Sequence, residues 1–172
     1  MGRAKKQIAK KKKAIELKES GTKSGSATVA RNKKASFDYH LGKDIIAGLV
    51  LTGPEVKSVR LGNIQLKGCF AKIIDGEAWL FNCLISEYKN AKHVKHDSER
   101  PKKLLLNRYE IDRLTLELQK SNSTIICSKV FFKQNRAKAL LHLAQGKQKG
   151  DKRADLKRKQ QNLDIKRALK NY

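Results

Sequence analysis

The chain has 172 residues with 40 Lys and Arg against 16 Asp and Glu, a formal net charge of +24 and a pI near 10.2. Such an excess works against a compact fold by self-repulsion unless a polyanion shares it, which points to nucleic acid or an anionic membrane. No apolar run approaches the roughly 20 residues of a membrane span, and the basic N-terminus lacks the apolar stretch of a secretory signal.

The charge is uneven along the chain. Residues 1–36 hold 12 basic and 2 acidic residues (net +10), residues 145–172 hold 10 and 3 (net +7), and residues 37–144 hold 18 and 11 (net +7). The two ends therefore carry +17 of the +24, while the middle has the balance of an ordinary domain long enough to bury a core. We expect a basic flexible extension over 1–28, a core over 29–145, and a basic tail over 146–172 that is disordered when free and helical when bound. Cys69, Cys83 and Cys127 are odd in number and far apart, and two of them sit in apolar runs. They read as small hydrophobes of a reducing, cytoplasmic setting rather than a disulfide framework.

Taken in order, the core opens near Phe37. Ile45 to Leu51 is apolar, partly β-branched, and reads as a strand. Thr52 followed by Pro54 and Glu55 is a capping box with proline in the first turn, so a short helix follows, stopped by Gly62. Val56 and Val59 face inward on it, and Lys57 and Arg60, three apart, project together on its other side. Cys69 to Ile74 and Glu77 to Ile85 flank Asp75-Gly76, a strong hairpin signal because both residues tolerate positive φ. Residues 86–103 read as a polar loop. Asn107, with Glu110 three later, caps a second helix in which Ile111, Leu114 and Leu118 recur at helical spacing. A second hairpin pairs Thr124 to Phe132 with Ala137 to Leu143. The fold class is thus mainly β: a small OB-like barrel with two short helices, which closes its edges and offers a face and loops to nucleic acid.

Catalytic patterns are absent from the sequence: it has neither a Gly-rich phosphate loop nor a G-x-S-x-G elbow. His93 and His96, with Asp97 beside them, have metal-ligand spacing, but a site needs three or four convergent ligands, so they read as a solvated loop. The expectation is a non-enzyme with no metal and no cofactor. Lys and Arg on phosphates supply affinity without sequence information. Aromatic residues make up only 6% and no RNP-type motif occurs, so recognition of a folded RNA by shape fits better than stacking of single-stranded bases.

Several strings are specific. Asn32-Lys33-Lys34-Ala35, Tyr39, Ala47-Gly48-Leu49-Val50-Leu51-Thr52-Gly53, and Glu55-Val56-Lys57-Ser58-Val59-Arg60-Leu61-Gly62 resemble the bacterial SsrA-binding protein family, SmpB. So do Lys103-Leu104-Leu105-Leu106-Asn107 and Gly146-Lys147 followed by Asp151-Lys152-Arg153. Order and spacing agree from about Ser26 to the C-terminus. The resemblance implies a barrel that binds the tRNA-like domain of transfer-messenger RNA, a monomer with one RNA. It implies delivery to ribosomes stalled on truncated messages, with the C-terminal tail in the decoding centre and the empty message channel.

It also implies RNA-binding residues: Asn32, Lys33, Lys34, Glu55, Lys57, Arg60, Leu105 and Asn107. Lys33, Lys34, Lys57 and Arg60 suit phosphate. Asn107 is equally a helix cap, Leu105 equally a core residue, and Glu55 either an RNA contact or a cap whose charge orients Lys57. In the tail it implies ribosome contacts by Asp151, Lys152 and Arg153, followed by Lys157 and Arg158. Two positions depart from the family pattern: Ile46 stands where a carboxylate is common, and Gly150 where His is common. The rival reading, a ribosomal or ribosome-assembly protein, shares the charge, core and tails but not these strings.

Overall fold

The computed structural model describes residues 27–88 and 97–170. The extension before residue 27, and His93 and His96, lie outside them. The described residues form nine strands and four helices. β1 (Ala27–Arg31), α1 (Ala35–Asp38) and β2 (Tyr39–Leu49) come first, then α2 (Gly53–Arg60), β3 (Ile64–Gln65), β4 (Phe70–Ile74), β5 (Glu77–Phe81) and β6 (Leu84–Ile85). β7 (Lys102–Leu105), α3 (Arg108–Lys120), β8 (Thr124–Lys133), β9 (Arg136–Gly146) and α4 (Lys149–Lys170) complete the order.

Six strands close into a ring in the order β8, β4, β5, β7, β2, β9 and back to β8, antiparallel at every contact. β1 adds to β8 beside β4, because the edge of β8 is shared: Ile125 and Ile126 pair with β4, Lys129 to Phe132 with β1. β3 and β6 form a separate two-stranded pair. This is the mainly β, OB-like barrel that strand patterning predicts. Alternation is clean in β5, where Ala78 and Leu80 are buried while Glu77, Trp79 and Phe81 turn outward. Val59 of α2 and Leu114 of α3 enter the same apolar cluster as Leu49, Leu80, Leu104, Ile125, Val130 and Leu141. Cys69, Cys83 and Cys127 are free and fully buried in it. Hydrogen bonds among the three thiols, together with burial, push the Cys69 thiol up, far from a reactive thiolate.

Both hairpin turns use two residues with positive φ, Asp75-Gly76 and Gln134-Asn135. The second is tighter than the four-residue loop read from sequence, since Lys133 and Arg136 still pair. Three other boundaries move. β2 begins at Tyr39, six residues before the expected strand, because its polar first half is held by β9 rather than by burial. β1 lies ahead of the expected core start. β7 occupies Lys102–Leu105, part of which read as polar loop, because Lys102 is buried there.

β9 crosses two register shifts, one against Gly42 and Lys43 of β2 and one against Ser128 of β8. An extra residue on one strand bends the sheet and sharpens its twist, which a small barrel needs at its corners. His142 of β9 joins the two bulges. Its Nε2 lies 2.7 Å from Ser128 Oγ, and its Nδ1 lies 3.3 Å from the Gly42 carbonyl oxygen and 3.1 Å from Asp44 Oδ1. With the proton on Nδ1, the ring donates toward β2 and accepts from β8. Gly42 itself cannot be larger, since a Cβ there would meet the Leu143 carbonyl oxygen at 2.8 Å. His142→Ala should lower stability by about 2–3 kcal/mol by freeing polar groups at both bulges. It should appear as a lower urea midpoint at constant m-value. Asp44→Ala, at a side chain 69% exposed, should cost under about 1 kcal/mol.

Candidate nucleic-acid interface

The cations of the expected RNA surface stand on three short supports. The first is the turn between β1 and α1. Asn32 donates its own N–H to the Ser128 carbonyl, accepts from the Ala35 N–H through Oδ1 (3.2 Å), and donates from Nδ2 to the Cys127 carbonyl (3.4 Å). Its side chain is therefore occupied in holding the turn against the β8 bulge. That frees Lys33 and Lys34, both exposed, to point outward.

The second support is α2. The Thr52 N–H donates to Glu55 Oε2 at 2.7 Å, the reciprocal arm of the capping box. At the other end the Asn63 N–H reaches the Ser58 carbonyl and the Gly62 N–H the Val59 carbonyl, with Gly62 at φ +83°. These are the paired bonds of a Schellman stop. Lys57 and Arg60 are exposed on the outer side. Each lies over a ring, Lys57 Nζ 5.6 Å from the Tyr88 centroid and the Arg60 guanidinium 5.4 Å from that of Phe132. A cation packed on a ring loses rotamer freedom before any phosphate arrives.

Glu55 itself has no exposed surface. Arg100 grips it with two bonds, Nε to Oε1 at 2.9 Å and a terminal nitrogen to Oε2 at 2.5 Å. Burial raises the Glu55 pKa, but the Arg100 hydrogen bonds, the Thr52 N–H and the Arg100 charge outweigh it and hold the carboxyl below its ordinary value. Lys102 is also fully buried, donating to the carbonyls of Cys83 (2.7 Å) and Ser98 (2.8 Å), and burial lowers its pKa. Arg100 thus ties the segment before β7 to α2, and Lys102 ties it to the link between β5 and β6. Neither is legible in the sequence, because nothing local marks the Arg100 partner 45 residues away or the burial of Lys102 against a carbonyl 19 residues away.

The third support is the junction of β7 and α3. Leu105 is 57% exposed. It faces out because Leu104, its neighbour, takes the inward position opposite Leu49. Asn107 is exposed and precedes α3, with its N–H donating to Glu110 Oε2 at 2.8 Å. Asn107, Ile46 and Tyr109 line one cleft between β2 and α3. Ile46 and Tyr109 are 51% and 74% exposed, so the departure from the family pattern puts an apolar side chain on the open face of β2.

In the tail, Asp151, Lys152, Arg153, Lys157 and Arg158 fall within the first three turns of α4. Arg153, Lys157 and Arg158 are exposed, whereas Lys152 is half-buried. Gly150 sits in this first turn, with open space around it.

Among the described residues no group of three His, Cys, Asp or Glu side chains is placed to hold a metal, and no helix is long and apolar enough to cross a membrane. The contacts from Ser128 through His142 to Asp44 have the connectivity of a hydrolase triad. However, the carboxylate that orients a triad histidine is buried, whereas Asp44 is 69% exposed and shares Nδ1 with the Gly42 carbonyl.

The family model described as "SmpB protein" matches residues 29–171. The chain belongs to the SmpB family. It is 50% identical over 143 residues to an SsrA-binding protein of Streptococcus uberis, covering 83% of this chain and 92% of that one. A Limosilactobacillus reuteri SsrA-binding protein is 45% identical over 155 residues, covering 90% and 99%. A solved structure titled "tmRNA-SmpB: a journey to the center of the bacterial ribosome" superposes with a TM-score of 0.59 at 36% identity, over 70% of this chain and 85% of that chain.

Arg100→Ala leaves a fully buried carboxylate without its partner and should cost about 3 kcal/mol. The stabilising contribution of Glu55 is present above its unfolded pKa and is lost as pH falls through the lower folded one. Denaturation curves should therefore show stability falling on the acid side of the ordinary glutamate range, and Glu55→Gln should flatten that limb.

Proposed function

We infer that this chain binds transfer-messenger RNA through its barrel and delivers it to stalled ribosomes for trans-translation, with the C-terminal tail acting in the decoding centre and the message channel. One observation carries the reading: the family match runs unbroken from residue 29 to 171, through core and tail alike. The named relatives are SsrA-binding proteins, and the solved neighbour is described with transfer-messenger RNA on the ribosome. The exposed cations support it. Lys33, Lys34, Lys57 and Arg60 are free to meet phosphate, and Leu105 and Asn107 stand beside a cleft that admits a ribose or base edge. Glu55 serves this surface from inside, by holding α2 through Arg100.

The division of labour follows the charge. The core over 29–145 selects the RNA by shape, the segment 1–28 adds electrostatic affinity, and the tail from 146 does the ribosomal work. The protein acts in the cytoplasm, where its ribosomes are, and performs no catalysis of its own. The alternative of a ribosomal or ribosome-assembly protein accounts for the charge but not for the family match.

Immunoprecipitation followed by sequencing of the bound RNA should return one abundant small stable RNA; equal presence on every ribosome would favour the alternative. Replacing Lys57 and Arg60 by Ala should weaken RNA binding and flatten its salt dependence, by somewhat under one log unit of slope per lost phosphate contact. Truncation after Gly146 should leave RNA binding by the core largely intact and abolish peptide tagging.

A further inference from the structure

The root of α4 is tied to the barrel by ionic, hydrogen-bond and cation–ring contacts. Lys147, where β9 ends, donates its N–H to the Asp38 carbonyl. Its side chain is only 10% exposed, and its Nζ reaches the Ser36 carbonyl at 2.7 Å and Asp155 Oδ2 at 2.8 Å. Lys152 Nζ lies 2.8 Å from Asp38 Oδ1 and 5.7 Å from the centre of the Phe37 ring. Asp151 Oδ2 accepts from the Gln148 N–H at 3.1 Å, as an N-terminal cap, and lies 3.3 Å from His40 Nε2. The apolar residues of α4 are not used: Leu156, Leu163, Ile165 and Leu169 are 42–72% exposed.

The helical period sorts the tail residues. At 100° per residue, Asp151, Lys152 and Asp155 fall within about 100° of arc, and Arg153 and Lys157 fall on the opposite side. Arg158 borders the first group and pairs with Asp155 at 2.8 Å. The tail motif therefore divides into an inward set that touches the barrel and an outward set that touches nothing there.

We propose that Phe37, Asp38 and His40, with Lys147, form a seat that fixes the direction in which α4 leaves the barrel. Asp151, Lys152 and Asp155 are its positioning residues, and Arg153 and Lys157 are the groups it aims at ribosomal phosphate. The second half of this statement rests on the proposed role of the tail; the first half does not. A helix held at one end by two lysine–carboxylate pairs and the His40–Asp151 contact, with no buried apolar side chain, is directed at little cost and can be redirected when a polyanion competes for Lys147 and Lys152. Gly150 lies in the first turn of α4, beside Asp151 and Lys152 of the seat.

The test uses the full chain in two measurements. Spin labels on Lys133→Cys and Leu163→Cys report the direction of α4 without RNA, because the three native cysteines are fully buried. Wild type should give one narrow distance distribution. Asp38→Lys should broaden it, and the exchange Asp38→Lys with Lys152→Asp should restore it. Peptide tagging on stalled ribosomes should follow the same order: active, impaired, recovered. Lys157→Ala should impair tagging with the distribution unchanged. A wild-type distribution as broad as that of Asp38→Lys would overturn the seat. A narrow distribution in the exchange variant with tagging still lost would overturn the positioning role, because Lys152 would then be touching ribosomal RNA itself. Failure of the wild-type chain to bind transfer-messenger RNA would sink the functional reading and leave the distance result standing.

Discussion

The barrel depends on β8 having partners on both edges. Along one edge it is paired throughout with β9; along the other it is shared between β4 and β1. Without that sharing the sheet would end in two open edges, each a row of unpaired N–H and C=O groups. With it the ring closes, and β1, the one added strand, brings Asn32, Lys33 and Lys34 to the outside of the bulge at Ser128. The tightness of a six-stranded ring explains why that bulge and the one at Gly42 exist. His142, one of the buried polar residues, links them and so serves the curvature of the ring. The exposed cations of the candidate RNA surface stand instead on the turn after β1 and on α2, with Leu105 and Asn107 at the β7–α3 junction.

A chain with this net charge must also keep its buried charges paired. Glu55 with Arg100, and Lys102 with two carbonyls, are the fully buried or nearly buried ionic groups of the described core. A buried pair contributes little to stability relative to an apolar substitute. Its effect is to determine position: α2 cannot rotate without breaking the Arg100 fork, and the exposed cations Lys57 and Arg60 ride on α2. The stacking of those two cations on Tyr88 and Phe132 continues the same restriction outward. A cation already limited in this way has less rotamer freedom left to lose when it meets a phosphate.

Much of this was legible in the sequence because it is local. Capping boxes at Thr52 and Asn107, the Gly62 stop and the Asp75-Gly76 turn each require only neighbours within a few residues, and each has its expected effect. β7 was not legible, because its boundary is set by Lys102, a residue whose type predicts exposure and whose burial depends on the carbonyl of Cys83, 19 residues away, as well as that of Ser98 nearby. Nor was the first half of β2: Tyr39 to Asp44 alternates too weakly to read as a strand, and only pairing with β9 makes it one. The candidate site divides in the same way. Exposure of Lys33, Lys34, Lys57 and Arg60 follows from residue type and helical spacing. The inward use of Glu55, Asp151 and Lys152 does not, because each is decided by a partner far along the chain.

Asp151-Lys152-Arg153 is contiguous in sequence, and a contiguous run of charges invites a single role. A helix denies it one: neighbouring residues differ by 100° in direction, so a seated helix must divide any such run between its support and its free face. The acidic residue is informative here. A tail built only to meet RNA phosphate gains nothing from Asp151 or Asp155 at that surface. Placed inward, the same carboxylates cap the helix, receive Lys147 and face His40, and their pKa values fall below the ordinary range for those reasons. The acidic residues of this tail thus stand on the side of α4 that faces the barrel, and Arg153 and Lys157 on the side that touches nothing there.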